Sequence, residues 1–274
     1  MSEYQLYEFQ TLDRALTDAD LTYLKSLSSR VELTATSARF NYSYRDFRGD
    51  PVKVLERCFD MMLYQANFGI RRLVIRLPIE IATPDLYEPY CVSHLISVKT
   101  TSKSVIIDLN LVHEDYYGWL GEDSCLPGMI EIREALLRGD LRVLYLAWLQ
   151  TGFAEDYALE WEEAIEPPVP PNLKKLSPAL KHFVDVFEID TDLIAAAATI
   201  SETAQSPTEP IEDWIAALPE AERNQYLVRV AKGEKYVGAE LMQRLRQQFG
   251  QPTATPHTET GRSFADLVAA AEHK

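Results

Sequence analysis

Residues 4–9 carry the apolar run of a first strand. A helix is expected from Thr17, which can cap it together with Asp20, and Leu21, Leu24 and Leu27 mark its apolar stripe. Residues 31–36 read as extended. Phe40, Tyr42 and Tyr44 then alternate with Arg39, Asn41, Ser43 and Arg45, the period-two pattern of a half-buried strand. Asp50 is a good N-cap with Pro51 at the first helical position, and Leu55, Phe59, Met62, Leu63 and Ala66 share one helical face. That spacing predicts a helix reaching Asn67, ended by a left-handed turn at Gly69. Residues 73–77 are an apolar strand closed by Pro78. Strand, helix, strand, strand, helix, strand is the split βαβ, ferredoxin-like order. A hairpin follows, 95–100 and 105–109, turning at Thr101, Ser102 and Lys103. Residues 129–137 form a helix stopped by Gly139, and another starts near Asp140, apolar nearly all round (Leu141, Val143, Leu144, Leu146, Trp148, Leu149) and therefore buried.

The run EPPVPP at 166–171 interrupts both patterns, because proline lacks a backbone donor and favours the extended polyproline conformation. Beyond it the pattern is helical: 177–187, 190–200, 211–218, 220–232 and 237–249, with a polar linker over 201–210. Residues 250–261 are loop-like, and Ser263 can cap a last short helix. The expected organisation is an α+β domain over 1–165, a proline hinge at 166–171, an acidic helical region over 172–250, and a tail over 251–274 with a short terminal helix. The proline run serves as a stiff spacer or as a ligand for a partner's groove.

Charge separates the two halves. Residues 1–113 hold 13 Lys and Arg against 14 Asp and Glu, whereas 114–274 hold 14 against 28, so nearly all of the net charge of −15 lies in the second part. An acidic surface disfavours non-specific attraction to nucleic acid or anionic membrane. The start of the chain lacks a basic segment followed by an apolar run, so no leader is expected, and no apolar stretch reaches the roughly 18–20 residues of a membrane span. Three cysteines, Cys58, Cys91 and Cys125, with no C-x-x-C pair, indicate reduced thiols and a cytoplasmic setting.

Candidate chemistry is sparse. On an open sheet, Phe40, Tyr42 and Tyr44 with Arg39, Arg45 and Arg48 are placed to stack bases, whereas under covering helices the same rings are core. Arg71, Arg72 and Arg76 with Lys99 and Lys103 would give a basic edge for phosphate, or an ordinary solvated one. His113, Glu114 and Asp115 with Glu122 and Asp123 lie in a loop, and adjacent residues rarely converge on a metal. Glu155, Asp156, Glu160, Glu162 and Glu163 around Trp161 read as a solvated face. His182, Asp185 and Glu188 share a helix side, and Cys58 sits beside a core stripe. No nucleophile elbow or phosphate-cradling glycine loop is present.

Several stretches resemble a family of uncharacterised bacterial proteins: 7–14 (YEFQTLDR) with Leu16 and Thr17, 46–51 (DFRGDP), 66–69 (ANFG) with 71–73 (RRL), 139–142 (GDLR), 166–171 (EPPVPP), 190–193 (DTDL) and 218–220 (LPE). The resemblance implies no assigned activity, cofactor or catalytic residue. The family pattern favours Trp-Gly where this chain has Tyr44 and Arg45, and continues into a longer terminal helix where this one stops at Lys274. The expectation from these observations is a non-enzymatic intracellular accessory subunit that docks onto a protein partner, with no catalytic residue, metal or cofactor and no membrane contact. The alternative is a nucleic-acid-binding module using Phe40, Tyr42, Tyr44, Arg45, Arg48, Arg71 and Arg72.

Overall fold

A computed structural model describes residues 3–44, 46–112, 123–152, 164–203, 210–234, 236–250 and 261–272. Seven strands form one sheet: β1 (Tyr4–Gln10), β2 (Glu32–Leu33), β3 (Ser37–Ser43), β4 (Met61–Ala66), β5 (Ile70–Pro78), β6 (Ile96–Thr100) and β7 (Ser104–Val112). Their order is β2-β3-β1-β4-β5-β7-β6, and every neighbouring pair is antiparallel. The helices are α1 (Asp18–Leu27), α2 (Pro51–Cys58), α3 (Glu131–Leu137), α4 (Arg142–Thr151), α5 (Pro178–Phe187), α6 (Thr191–Ala197), α7 (Ile211–Ala217), α8 (Glu220–Ala231), α9 (Val237–Phe249) and α10 (Phe264–Glu272).

Local signals set many boundaries. Thr17 and Asp20 make the reciprocal capping box of α1. Asp50 accepts from the N–H groups of Val52 and Lys53, with Pro51 following. The hairpin of β6 and β7 forms where expected, with the Thr101 N–H donating to the Ser104 carbonyl at 2.8 Å.

The helix predicted to reach Asn67 does not. It stops at Cys58, Phe59 is extended (φ −130°, ψ 173°), and residues 61–66 are strand β4. β4 lies between β1 and β5 with both faces covered, and only Tyr64 along it is less than buried. A strand apolar on both sides has no alternation, so its spacing imitates a helical stripe. The left-handed Gly69 (φ +92°) turns the β4–β5 hairpin instead of capping a helix.

Each face of the sheet carries a core. α1 and α2 cover one, where Phe9, Phe40, Phe47, Leu55, Phe59, Met62 and Val74 pack together. The other is larger. Met61, Leu73, Ile75, Ile107 and Leu109 of the sheet pack in one cluster with Leu144 and Trp148 of α4, Leu180 and Phe183 of α5, Leu193 of α6 and Phe264 and Leu267 of α10.

The proline run is therefore not a hinge. Pro167, Val169 and Pro170 are buried, and Val169 and Leu173 join the larger core. The Tyr90 hydroxyl donates to the Pro168 carbonyl at 2.7 Å, and Ser201 donates to that of Pro170 at 2.8 Å. Helices from both sides of the run share the larger interior, so residues 1–165 close the smaller core but not the larger one on their own. The helical region is also less acidic than expected. Residues 114–171 hold 13 Asp and Glu against 3 Lys and Arg, while 172–250 hold 12 against 9.

Glu166 fastens the last helix to this body. Its carboxylate, wholly buried, accepts both forks of Arg262 at 2.9 and 2.7 Å and the Tyr145 hydroxyl. Burial and then the Glu166 charge raise the Tyr145 pKa, so the phenol stays a donor. The Glu166 N–H donates to the Arg262 carbonyl at 2.9 Å, and the Phe264 N–H to that of Ala164 at 2.9 Å. Replacing Glu166 with Ala leaves Arg262 without its carboxylate. A loss of about 3–5 kcal/mol is expected by urea unfolding, with faster amide exchange across α10; unchanged exchange there would refute the assignment.

Candidate functional site

The aromatic strand does not form a base-stacking platform. Phe40 is 1% exposed and packs edge-on against Phe9 and Phe47. Tyr42 is half-buried against Tyr7 and Phe47. Tyr44 is exposed, but it has left the strand at φ +61°. Arg48 is exposed, and Arg45 lies outside the described residues. Arg71 and Arg72 occupy opposite sheet faces. Arg71 is buried and donates to the Ala66 and Ile70 carbonyls, whereas Arg72 makes a forked pair with Asp108 at 2.8 and 2.6 Å. Arg76 is drawn inward to Asp60, and Lys99 and Lys103 are exposed. These cations do not form one basic edge.

The remaining sequence candidates divide similarly. His113, Glu114, Asp115, Glu122 and the acidic run around Trp161 lie outside the described residues. No group of three or more His, Cys, Asp or Glu that could hold a metal occurs among the described residues. His182 is half-buried, its Nε2 2.9 Å from the Cys125 carbonyl oxygen, while Asp185 and Glu188 are exposed. Burial, then Asp20, pushes the Cys58 thiol up to about 12, so it is packing rather than a nucleophile.

A buried polar network, absent from the sequence reading, ties the ends of β1, β4 and β5 to α3. Asp60 accepts from the N–H groups of Leu12 (2.6 Å) and Asp13 (3.0 Å) and pairs with Arg76. Arg133 forks onto Asp13 at 3.0 and 2.7 Å and donates to the Arg76 carbonyl at 2.9 Å. The Tyr236 hydroxyl, just before α9, donates to Asp13. Burial alone would raise the Asp60 pKa. The Leu12 N–H, Arg133 and Arg76 overcome it, and the net shift is downward. With every member paired, the network is an anchor for α9 rather than a reactive centre.

Among the described elements, α8 turns ion pairs inward and apolar side chains outward. Among its residues none is buried, and Leu227, Val228 and Val230 are 66%, 51% and 60% exposed. Its inward face is ionic. Arg229 pairs with Glu240 of α9 and with Glu234, both at 2.7 Å, and Arg244 of α9 pairs with Glu222 at 3.0 Å. Glu240, then Glu234, hold the Arg229 pKa above its ordinary value. At 100° per residue, Ala221, Asn224, Leu227, Val228 and Ala231 fall on the side opposite Glu222, Tyr226 and Arg229. Scattered exposed apolar residues are ordinary, but Leu227 and Val228 lie together on the side turned away from α9, while the exposed Val230 lies off that side. The sequence shows this helix without showing which side faces α9.

Two outcomes follow from these placements. Phe40→Ala should cost about 3–5 kcal/mol in urea unfolding and Tyr44→Ala less than about 0.5; a costly Tyr44→Ala would contradict the burial described. Since the Asp60 pKa is depressed, its stabilisation is complete above the unfolded-state value of about 3.9 and disappears as pH falls through the folded value. Stability should therefore hold between about pH 7 and 5 and decline below about 4, and Asp60→Asn, less stable throughout, should decline less steeply. Equal acid slopes would remove Asp60 from that role.

No family model matches the chain, and no curated protein matches it. A solved structure, the aspartate kinase of Clostridium acetobutylicum, is 8% identical and is covered over 33% of its length by 53% of this chain, with a TM-score of 0.18. That likeness carries no argument about fold or activity. Among the described residues, no helix is long and apolar enough to cross a membrane.

Proposed function

We propose that this protein is an interaction subunit that docks onto a protein partner through the outward face of α8. The observation that carries the reading is the reversal of α8: ion pairs to α9 inside, and Leu227 and Val228 outside. Covering a leucine or valine side chain is worth about 1.5–3 kcal/mol, so a partner that buries this face gains directly from it. The polar network suits the role, because Tyr236 and Asp13 link the α7–α9 segment to a body with two packed cores.

The body itself we read as ferredoxin-like over its first four strands. Supporting this, β1 lies between β3 and β4 in the order β2-β3-β1-β4, and the connections β1–α1–β2 and β3–α2–β4 each join two strands separated by one antiparallel strand. That is two interlocked split βαβ units, with the last strand supplied by residues 61–66. The nucleic-acid reading has no comparable support, since Phe40 is buried and Arg72 is paired.

A tagged pull-down from host lysate, with and without nuclease, tests the proposal. The wild-type chain should retain a stoichiometric protein partner after nuclease, and Leu227→Glu with Val228→Glu should lose it while melting normally. Recovery of nucleic acid alone, or a partner indifferent to the double substitution, would overturn the reading.

A further inference from the structure

We infer that the occupant of the α8 face is a second copy of this chain, paired antiparallel, α8 on α8, about a two-fold axis. The inference rests on the docking reading above and names the partner. A two-fold interface uses the same patch on both chains, so the patch must complement itself. The α8 face does so. Glu220 opens it, Lys232 follows its last turn, and Ala221, Asn224, Leu227, Val228 and Ala231 lie between, all of them exposed. Neither Glu220 nor Lys232 enters an ion pair among the described residues.

Antiparallel pairing with the axis level with residue 226 sets Glu220 against Lys232 of the partner subunit, and the reverse, closing two ion pairs. It also sets Ala221 against the partner's Ala231 and Asn224 against the partner's Val228. Alanine at both ends of the face lets the helices approach to the usual 8–10 Å or so. Parallel pairing would instead place like charges together at each end and align the two helix dipoles unfavourably. Acid at the start and base at the finish of one apolar face therefore select both the partner and its direction.

A helix of 12 residues is about 18 Å long, so the contact is smaller than the standard interface of about 800 Å² per partner. The dimer should be reversible and dissociate on dilution.

Sedimentation velocity of the full chain over a concentration series tests this. The wild type should move from one chain mass toward two as concentration rises, and Leu227→Glu should remain a monomer. Glu220→Lys or Lys232→Glu alone should weaken association about tenfold, and the two together should restore it. Circular dichroism melts of each variant separate lost pairing from lost folding. A wild type that stays monomeric into the hundreds of micromolar, dimers indifferent to Leu227→Glu, or a charge swap that fails to rescue would each overturn the inference. The docking reading fails separately. A monomeric chain that still captures a different protein through Leu227 and Val228 keeps the docking face and refutes self-pairing, whereas a monomer with no such capture refutes both.

Discussion

A seven-stranded sheet has two apolar faces to keep from water, and the segment before the prolines carries helices for only part of that area. α1 and α2 close one face over Phe9, Phe40 and Val74. α3 and α4 begin to close the other, and α5, α6 and α10, all beyond the prolines, complete it. This demand turns an apparent linker into an interior segment. Residues 166–171 cannot swing while Val169 is packed and the carbonyls of Pro168 and Pro170 are bonded to Tyr90 and Ser201. Proline suits a buried segment outside helix and sheet, because it leaves fewer backbone N–H groups that need partners.

Buried carboxylates join segments that are distant in sequence. Asp60 sits between the end of α2 and the start of β4, and Glu166 where the chain enters the proline run. Glu8 points from β1 to the turn before α3, accepting from Ser124 and from the N–H groups of Cys125 and Leu126. Each carboxylate collects several donors, as a buried charge must if its desolvation is to be offset. Such sites bind distant segments to one geometry, because losing a donor weakens the compensation of a buried charge.

α8 departs from this logic. Over the sheet, apolar groups turn inward to two cores; in α8 the ion pairs are inside and Leu227 and Val228 are outside. Ion pairs near the surface contribute little to stability, so α8 is held modestly, and its Leu227 and Val228 are left exposed. The docking proposed for this face would account for both features together.

Much of the secondary structure was legible locally. The capping box at Thr17, the Asp50 and Pro51 helix start, the β6–β7 hairpin and the helices beyond the prolines all rest on contacts within a few residues. Residues 61–66 carry a helical spacing in sequence because a strand covered on both faces loses its alternation, and the covering comes from segments distant in sequence. For the same reason the aromatic strand was ambiguous: Phe40 is core only because α1 and α2 lie over it. The place of the proline run, the Asp13–Asp60–Arg133 network and the outward turn of α8 have no local signal at all. Periodicity specifies that a helix has two sides; which side meets water depends on what packs against it, and that is a property of the assembled chain.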